Sequence, residues 1–190
     1  MNVIRFIQEY MKQPRMVGVI LPSSKQLAKQ MVSSICFKKA KCIIEFGPKT
    51  GIFTEELIKR KYPGTILLLI EENEAFYQEL SEKYMRNENV YIIHDSAENV
   101  NCYVEGYKIQ KIHYIVSGLP FASLPFKVSK NSLQQTKNIL GEEGTFITFQ
   151  YAKLKQQLFS SFFANIKLEK VYWNIPPAYV FTCKIKLNNK

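Results

Sequence analysis

The sequence predicts an α/β fold, a doubly wound and mostly parallel sheet of seven strands whose last strand runs antiparallel. Three observations carry this. Runs that are apolar throughout, 42–46, 66–70, 90–93, 111–116 and 145–150, alternate with stretches of helical spacing, as strands buried on both faces require. The first run breaks at Gly47 into a tight turn and restarts as a helix after Gly51, and the second ends in an acid, Glu71, about 20 residues on. Finally, 168–174 and 178–188 alternate well enough to pair as an antiparallel hairpin around Pro176 and Pro177.

A chain of 190 residues with 46% hydrophobic content builds one domain. It divides into an N-terminal helical segment, 1–40, and an α/β core, 41–190. Cys36, Cys42, Cys102 and Cys183 have no C-x-x-C spacing, and only His94 and His113 could join them, so no metal is expected and the thiols fit a reducing compartment. There is no run of 18 apolar residues, and Glu9 with no small-residue cleavage site argues against a secretion signal. The net charge of +10 is unevenly spread: residues 1–42 carry +7, residues 43–151 carry −3 and residues 152–190 carry +6. Such basic ends suit a large anionic partner, either a nucleic acid or an anionic lipid surface.

In order, Val3, Phe6, Ile7, Tyr10 and Met11 recur at helical spacing until Pro14. This amphipathic helix either packs on the domain or lies in a lipid interface and covers the substrate entrance. Ser23 or Ser24 caps the next helix, which buries Leu27, Met31 and Ile35, and the same serines could donate to a bound carboxylate. Helices follow at 52–61, 73–84, 130–139 and 152–164, whereas 99–110 reads as a loop or a short extra hairpin. A sheet ending in an antiparallel hairpin is unlike a plain dinucleotide fold. It is what a class I S-adenosylmethionine-dependent methyltransferase would show.

Open sheets bind ligands at the carboxyl ends of their strands, so four loops should converge there. In the turn after the first strand, Gly47 and Gly51, with Thr50 between them, let the backbone approach a ligand. Glu45 beside that turn argues against a phosphate and for a ligand with hydroxyls or positive charge. Glu71, followed by Glu72, stands where such sheets hold a ribose. Asp95, in the stretch Asp95-Ser96-Ala97, can accept from an adenine amino group while Ala97 leaves room for the ring. Ser117, Gly118, Leu119, Pro120 and Phe121 form a stiff loop with an apolar wall, and Asn174 to Ala178 form a rigid lip. Methyl transfer from a sulfonium asks mainly for positioning and desolvation. An aliphatic ammonium must first lose its proton, and the groups suited to orient it are the carbonyls and Ser117 of the 117–121 loop, Tyr151, and Tyr10 or Tyr179.

On these residues the chain resembles the short soluble bacterial phospholipid N-methyltransferases, relatives of the ribosomal RNA adenine dimethylases. The likeness runs through 6–31, 43–54 and 70–76, resumes at Ser117 to Phe121 and at Phe149-Gln150-Tyr151, and closes on 174–180. It implies that Glu45, Gly47 and Gly51 surround the methionine part of S-adenosylmethionine, Glu71 holds the ribose, Asp95 and Ala97 flank adenine, and Ser117 to Pro120 line the methyl-transfer site. It further implies transfer to phosphatidylethanolamine or its monomethyl and dimethyl derivatives, with S-adenosylhomocysteine as product. The enzyme would be a monomer held peripherally at the cytoplasmic face of the cell membrane, its N-terminal segment lying on the lipid.

Two features depart from the family pattern. Where the turn usually reads Gly-Pro-Gly-Thr-Gly, this chain has Lys49, which is expected to take ordinary L-residue torsions with its ammonium toward solvent or the cofactor carboxylate. Glu142 and Glu143 stand in the loop before the fifth strand, where Gly-Gly is common. The rival reading is an RNA adenine N6-methyltransferase, which basic ends would suit. Its relatives carry an Asn or Asp before the Leu-Pro or Ile-Pro pair and an added C-terminal helical domain. Here Ser117 and Gly118 precede Leu119-Pro120 and the chain stops soon after its last strand. A non-catalytic lipid- or cofactor-binding protein is the third reading.

Overall fold

The computed structural model describes residues 25–151, 156–174 and 177–185. The strands are β1 (Cys42–Phe46), β2 (Ile66–Glu71), β3 (Val90–His94), β4 (Tyr114–Ser117), β5 (Thr145–Gln150), β6 (Asn165–Val171) and β7 (Ala178–Lys184). The helices are α1 (Lys25–Val32), α2 (Ile52–Arg60), α3 (Glu74–Tyr84), α4 (Val100–Gly106), α5 (Phe126–Leu140) and α6 (Gln156–Ser160). One seven-stranded sheet results, in the order β3-β2-β1-β4-β5-β7-β6, with β7 antiparallel to both neighbours. The predicted fold and its terminal hairpin are both present.

β1 is buried at every position because β2 and β4 flank it and helices cover both faces. On one face Ile43, Leu67, Leu69, Ile147 and Val180 meet Leu27 and Met31 of α1, Leu57 of α2 and Leu80 of α3. On the other, Ile44, Phe46, Leu68 and Ile115 meet Val100 of α4, Leu133 and Leu140 of α5 and Phe159 of α6. Under α6 the second core is aromatic: Phe146 stacks on Phe163 at 5.3 Å, and Phe159 meets Phe181 edge-on at 5.1 Å. Each such ring contributes roughly 2–3 kcal/mol by leaving water.

Several boundaries differ from expectation. Residues 100–106 are helical, where a loop or hairpin was expected: Val100, Tyr103 and Val104 follow helical spacing, and all three join the second core. α5 begins at Phe126 rather than 130, because Pro125 supplies a fixed N-cap and the small Ser129 fits under the first turn at full burial. α6 covers Gln156–Ser160 and ends before the expected 164, the expected 152–155 lying outside the described residues, and β6 starts at Asn165, pairing with Lys184, and ends at Val171 rather than 174. β4 starts at Tyr114, not 111. The expected N-terminal amphipathic helix, the Ser23 or Ser24 cap and Tyr10 lie outside the described residues.

Candidate active site

The strand order reverses between β1 and β4, so the loops leaving these strands diverge and open a crevice. They are tied at their base: Gly118 donates its N–H to Phe46 O at 2.8 Å, and Gly47 donates to Ile70 O at 2.9 Å. A Cβ on Gly118 would lie 2.6 Å from Gly47 O, and one on Gly47 would lie 3.1 Å from Leu119 Cδ2. Glycine is therefore required where the two loops touch. Between them is a cleft lined by Gly47 and Lys49, by Glu71, Glu72 and Asn73, by Asp95 to Ala97, and by Leu119 and Pro120. The space in and around it, its open mouth included, is roughly 540 Å³.

Glu71 is buried, and both its oxygens are already aimed: Oε1 accepts from Asn73 N at 3.0 Å and Oε2 from Lys49 N at 2.9 Å. Burial raises its pKa, while the two backbone donors and the Lys49 charge pull it down. Asp95 is fixed by Ser96 N at 2.6 Å and Asn99 Nδ2 at 2.8 Å on Oδ1, and by Tyr103 O–H at 2.6 Å on Oδ2. The Tyr103 bond, more than the others, holds the Asp95 pKa below its usual value and pushes the phenol up to about 12.

Glu45 does not line the cleft but lies beneath the turn at full burial. Its Oε2 accepts from Thr54 O–H at 2.7 Å, whereas among the described residues no donor meets Oε1. Burial pushes its pKa up to about 8, the Thr54 bond opposing and the Glu71 charge adding to the rise. Such an orphaned buried oxygen asks for a hydrogen-bond partner.

Lys49 contradicts expectation. It takes left-handed torsions, φ +52°, between Gly47 at +61° and Gly51 at +77°. A side chain there costs about 1–2 kcal/mol. Its side chain is turned inward and only 9% of the residue is exposed. Burial lowers its pKa to about 8, with the Glu71 carboxylate acting in the opposite sense. The turn bends as a three-glycine turn would, because the Gly118 loop and the Lys49 N–H bond to Glu71 together fix its path, and the lysine side chain goes into the cleft.

Thr50, Gly51, Ser117 and Gly118 do not line the cleft. Ser117 is fully buried and its Oγ accepts from Leu119 N at 3.2 Å, so the hydroxyl braces the loop. Gln150 braces it too, donating to Leu119 O and accepting from Ala122 N, both at 3.3 Å. Tyr151 and Tyr179 stand on opposite faces of the sheet, the first in the α1 core and the second in the α6 core. Burial raises the Tyr151 pKa and the neighbouring Asn174 side chain opposes the rise, so the end of β5 and the turn after β6 come near each other there. The sequence reading missed Tyr103 and the α5 wall, where Leu124, Val128 and Ser132 face the cleft at a spacing of four. That spacing was visible, but a helix begun at 130 hid it.

This fold and this cleft define a class I S-adenosylmethionine-dependent methyltransferase. Solved structures with the same fold include precorrin-6y C5,15-methyltransferase from Geobacter metallireducens, 11% identical with a TM-score of 0.66 over 89% of this chain and 92% of that one. Human methyltransferase-like protein 13 in complex with SAH is 16% identical, with a TM-score of 0.59 over 87% and 81%. The chain belongs to the ribosomal RNA adenine dimethylase family, whose model matches residues 6–156. An ornithine lipid N-methyltransferase from Singulisphaera acidiphila is 24% identical over 94% of both chains. Ribosomal RNA small subunit methyltransferase A from a Sulfurihydrogenibium species is 31% identical, over 58% of this chain and 42% of that one.

Among the described residues no three His, Cys, Asp or Glu side chains gather to hold a metal ion, and no helix is long and apolar enough to cross a membrane. The donor set suits S-adenosylmethionine in all but one respect. Glu71 offers lone pairs to a diol, Asp95 an acceptor beside the small Ala97, and Glu45 an oxygen lacking a donor. Lys49 is the exception, since a cation already stands in the same cleft.

Proposed function

We propose that this protein methylates the headgroup amine of a membrane lipid, phosphatidylethanolamine or its monomethyl and dimethyl derivatives, at the cytoplasmic face of the membrane. The observation that carries the reading is Gly118. Relatives acting on adenine need a side-chain acceptor just before the Leu-Pro pair, and here that place has no room for a Cβ. An aliphatic amine needs no such acceptor. The Singulisphaera relative, named for an ornithine lipid, supports a lipid amine and adds ornithine lipid to the substrates to be tried.

In this reading Glu71 binds the ribose hydroxyls, Asp95 and Ala97 take the adenine, and Glu45 with the Gly47 to Gly51 turn, Thr50 included, surrounds the methionine end. Glu72 and Ser96 complete the ribose and adenine walls. When bound, S-adenosylmethionine supplies an electrophilic methyl group. The chain's own part is to orient a neutral amine and exclude water. The carbonyls of the 117–120 loop, held in place by Gln150 and Ser117, accept from the amine, and the Tyr151 hydroxyl beside Asn174 offers a further polar contact.

The test is transfer of labelled methyl, in parallel, to phosphatidylethanolamine and ornithine lipid in anionic vesicles and to ribosomal RNA. Label in lipid is expected. Label in RNA alone would overturn the reading in favour of the activity that names the family. Absence of S-adenosylhomocysteine binding by calorimetry would favour a non-catalytic protein.

A further inference from the structure

The three most exposed aromatic side chains among the described residues are Trp173 at 83%, Tyr172 at 69% and Phe126 at 68%. Topology places all three at one end of the molecule. β5 and β6 are both antiparallel to β7, so they run in the same direction, and the turn after β6 emerges at the carboxyl end of the parallel strands. The loop from β4 to α5, which walls the cleft at Leu119 and Pro120, ends at Phe126 on that same side. The other exposed large apolar side chains, Tyr62, Met85 and Tyr107, follow helices and stand at the opposite end.

Charge at this end complements the aromatics. Lys127 and Lys130 are exposed on the first turns of α5. Exposed Lys170 places its Nζ 4.6 Å from the centre of the Tyr172 ring. No Asp or Glu occurs between Glu105 and Glu142, and none follows Glu169. Amphipathic rings with a cationic border are suited to the headgroup level of an anionic bilayer.

We propose that the β6–β7 turn and the start of α5 form a lipid-docking rim, with Trp173, Tyr172 and Phe126 entering the interface of an anionic bilayer and Lys127, Lys130 and Lys170 meeting its headgroups. The inference rests on the lipid reading above and deepens it: a lipid amine reaches the cleft when this end of the molecule faces the membrane. The rim turns the cleft mouth toward the bilayer, and the acceptor amine has only to rise between the rings.

The chain contains one tryptophan, so its emission reports the rim directly. Full-length protein is titrated with phosphatidylglycerol–phosphatidylethanolamine vesicles, with phosphatidylcholine vesicles and with a ribosomal RNA hairpin, and methyl transfer to phosphatidylethanolamine in detergent micelles is measured alongside. With the anionic vesicles, emission should shift to shorter wavelength and be quenched by acyl-brominated lipid, and phosphatidylcholine should have little effect. Trp173→Ser and Phe126→Ser should each weaken vesicle sedimentation about tenfold, with unchanged thermal melting and unchanged transfer in micelles. Sedimentation with unaltered Trp173 emission, while micellar lipid is still methylated, overturns the rim and leaves the lipid reading standing. A response to RNA but not to vesicles overturns the rim, and if micellar lipid also stays unlabelled the lipid reading falls with it.

Discussion

The two halves of the sheet differ in what their carboxyl ends present. β1, β2 and β3 deliver Glu45, Glu71, Glu72 and Asp95 into and beneath one cleft, whereas the loops after β4 and β6 carry no acid, and beside them the exposed rings Phe126, Tyr172 and Trp173 stand with Lys127, Lys130 and Lys170. In the proposed reading, one half holds a small ligand with hydroxyls and positive charge and the other meets a large anionic surface. The net charge of +10 conceals this division: Glu45 and Glu71 are buried, whereas Lys127, Lys130 and Lys170 are exposed. What matters for binding is where each charge emerges from the sheet.

The comparison is broken most strongly at Glu45. Its folded carboxyl titrates at about 8 against an ordinary value of 4.5. A raised carboxyl stabilises the fold fully below about 4.5, and that contribution is lost as pH rises toward 8. Glu45→Gln should remove this loss, so without ligand the variant gains on the wild type between pH 4.5 and 8, on the order of 5 kcal/mol, read from denaturant melts. Parallel pH profiles would mean that the carboxyl already has a partner.

Glu71→Ala comes next. Losing hydrogen bonds to a charged acceptor should weaken S-adenosylhomocysteine binding about 100-fold by calorimetry, and unchanged affinity would place the ribose elsewhere. Gly118→Ala attacks the seam between the halves: its methyl meets the Gly47 carbonyl, and the melting transition should fall by about 2 kcal/mol. An unshifted transition would show that the loop has slack. The smallest effect belongs to Lys49→Gly, which relieves left-handed strain and should stabilise the protein by about 1 kcal/mol. It should also tighten S-adenosylhomocysteine binding a few-fold, and weaker binding would show instead that the lysine grips the ligand.

The half carrying the acids was the more legible one. Apolar runs ending in Glu45, Glu71 and Asp95 give strand, turn and acid together, because strands buried on both faces leave little ambiguity and the following polar residue marks the strand end. β6 was misplaced by three residues at each end because its burial is partial and its alternation continues into Tyr172 and Trp173. Lys49 was misread because its torsions are set by partners distant in sequence, Gly118 and Glu71, rather than by its own preference. Tyr103 escaped notice since its contact with Asp95 depends on a short helix whose pattern is only two turns long. In the structure the Ser117 hydroxyl braces the loop through Leu119 N, a contact that only packing reveals.

The place of β7 between β5 and β6 also fixes an order of events during synthesis. A chain emerging from its N-terminus can assemble β3, β2, β1, β4 and β5 as soon as residue 150 is free. β6 is made next, yet its neighbour in the sheet among the described residues, β7, does not exist until residues 178–184 follow. Until then the backbone donors of β5 lie open along one edge, and the aromatic core beneath α6 lacks Phe181. The last strand made is the one that closes the sheet, so a nascent chain halted before residue 178 leaves β5 open to pairing with another copy.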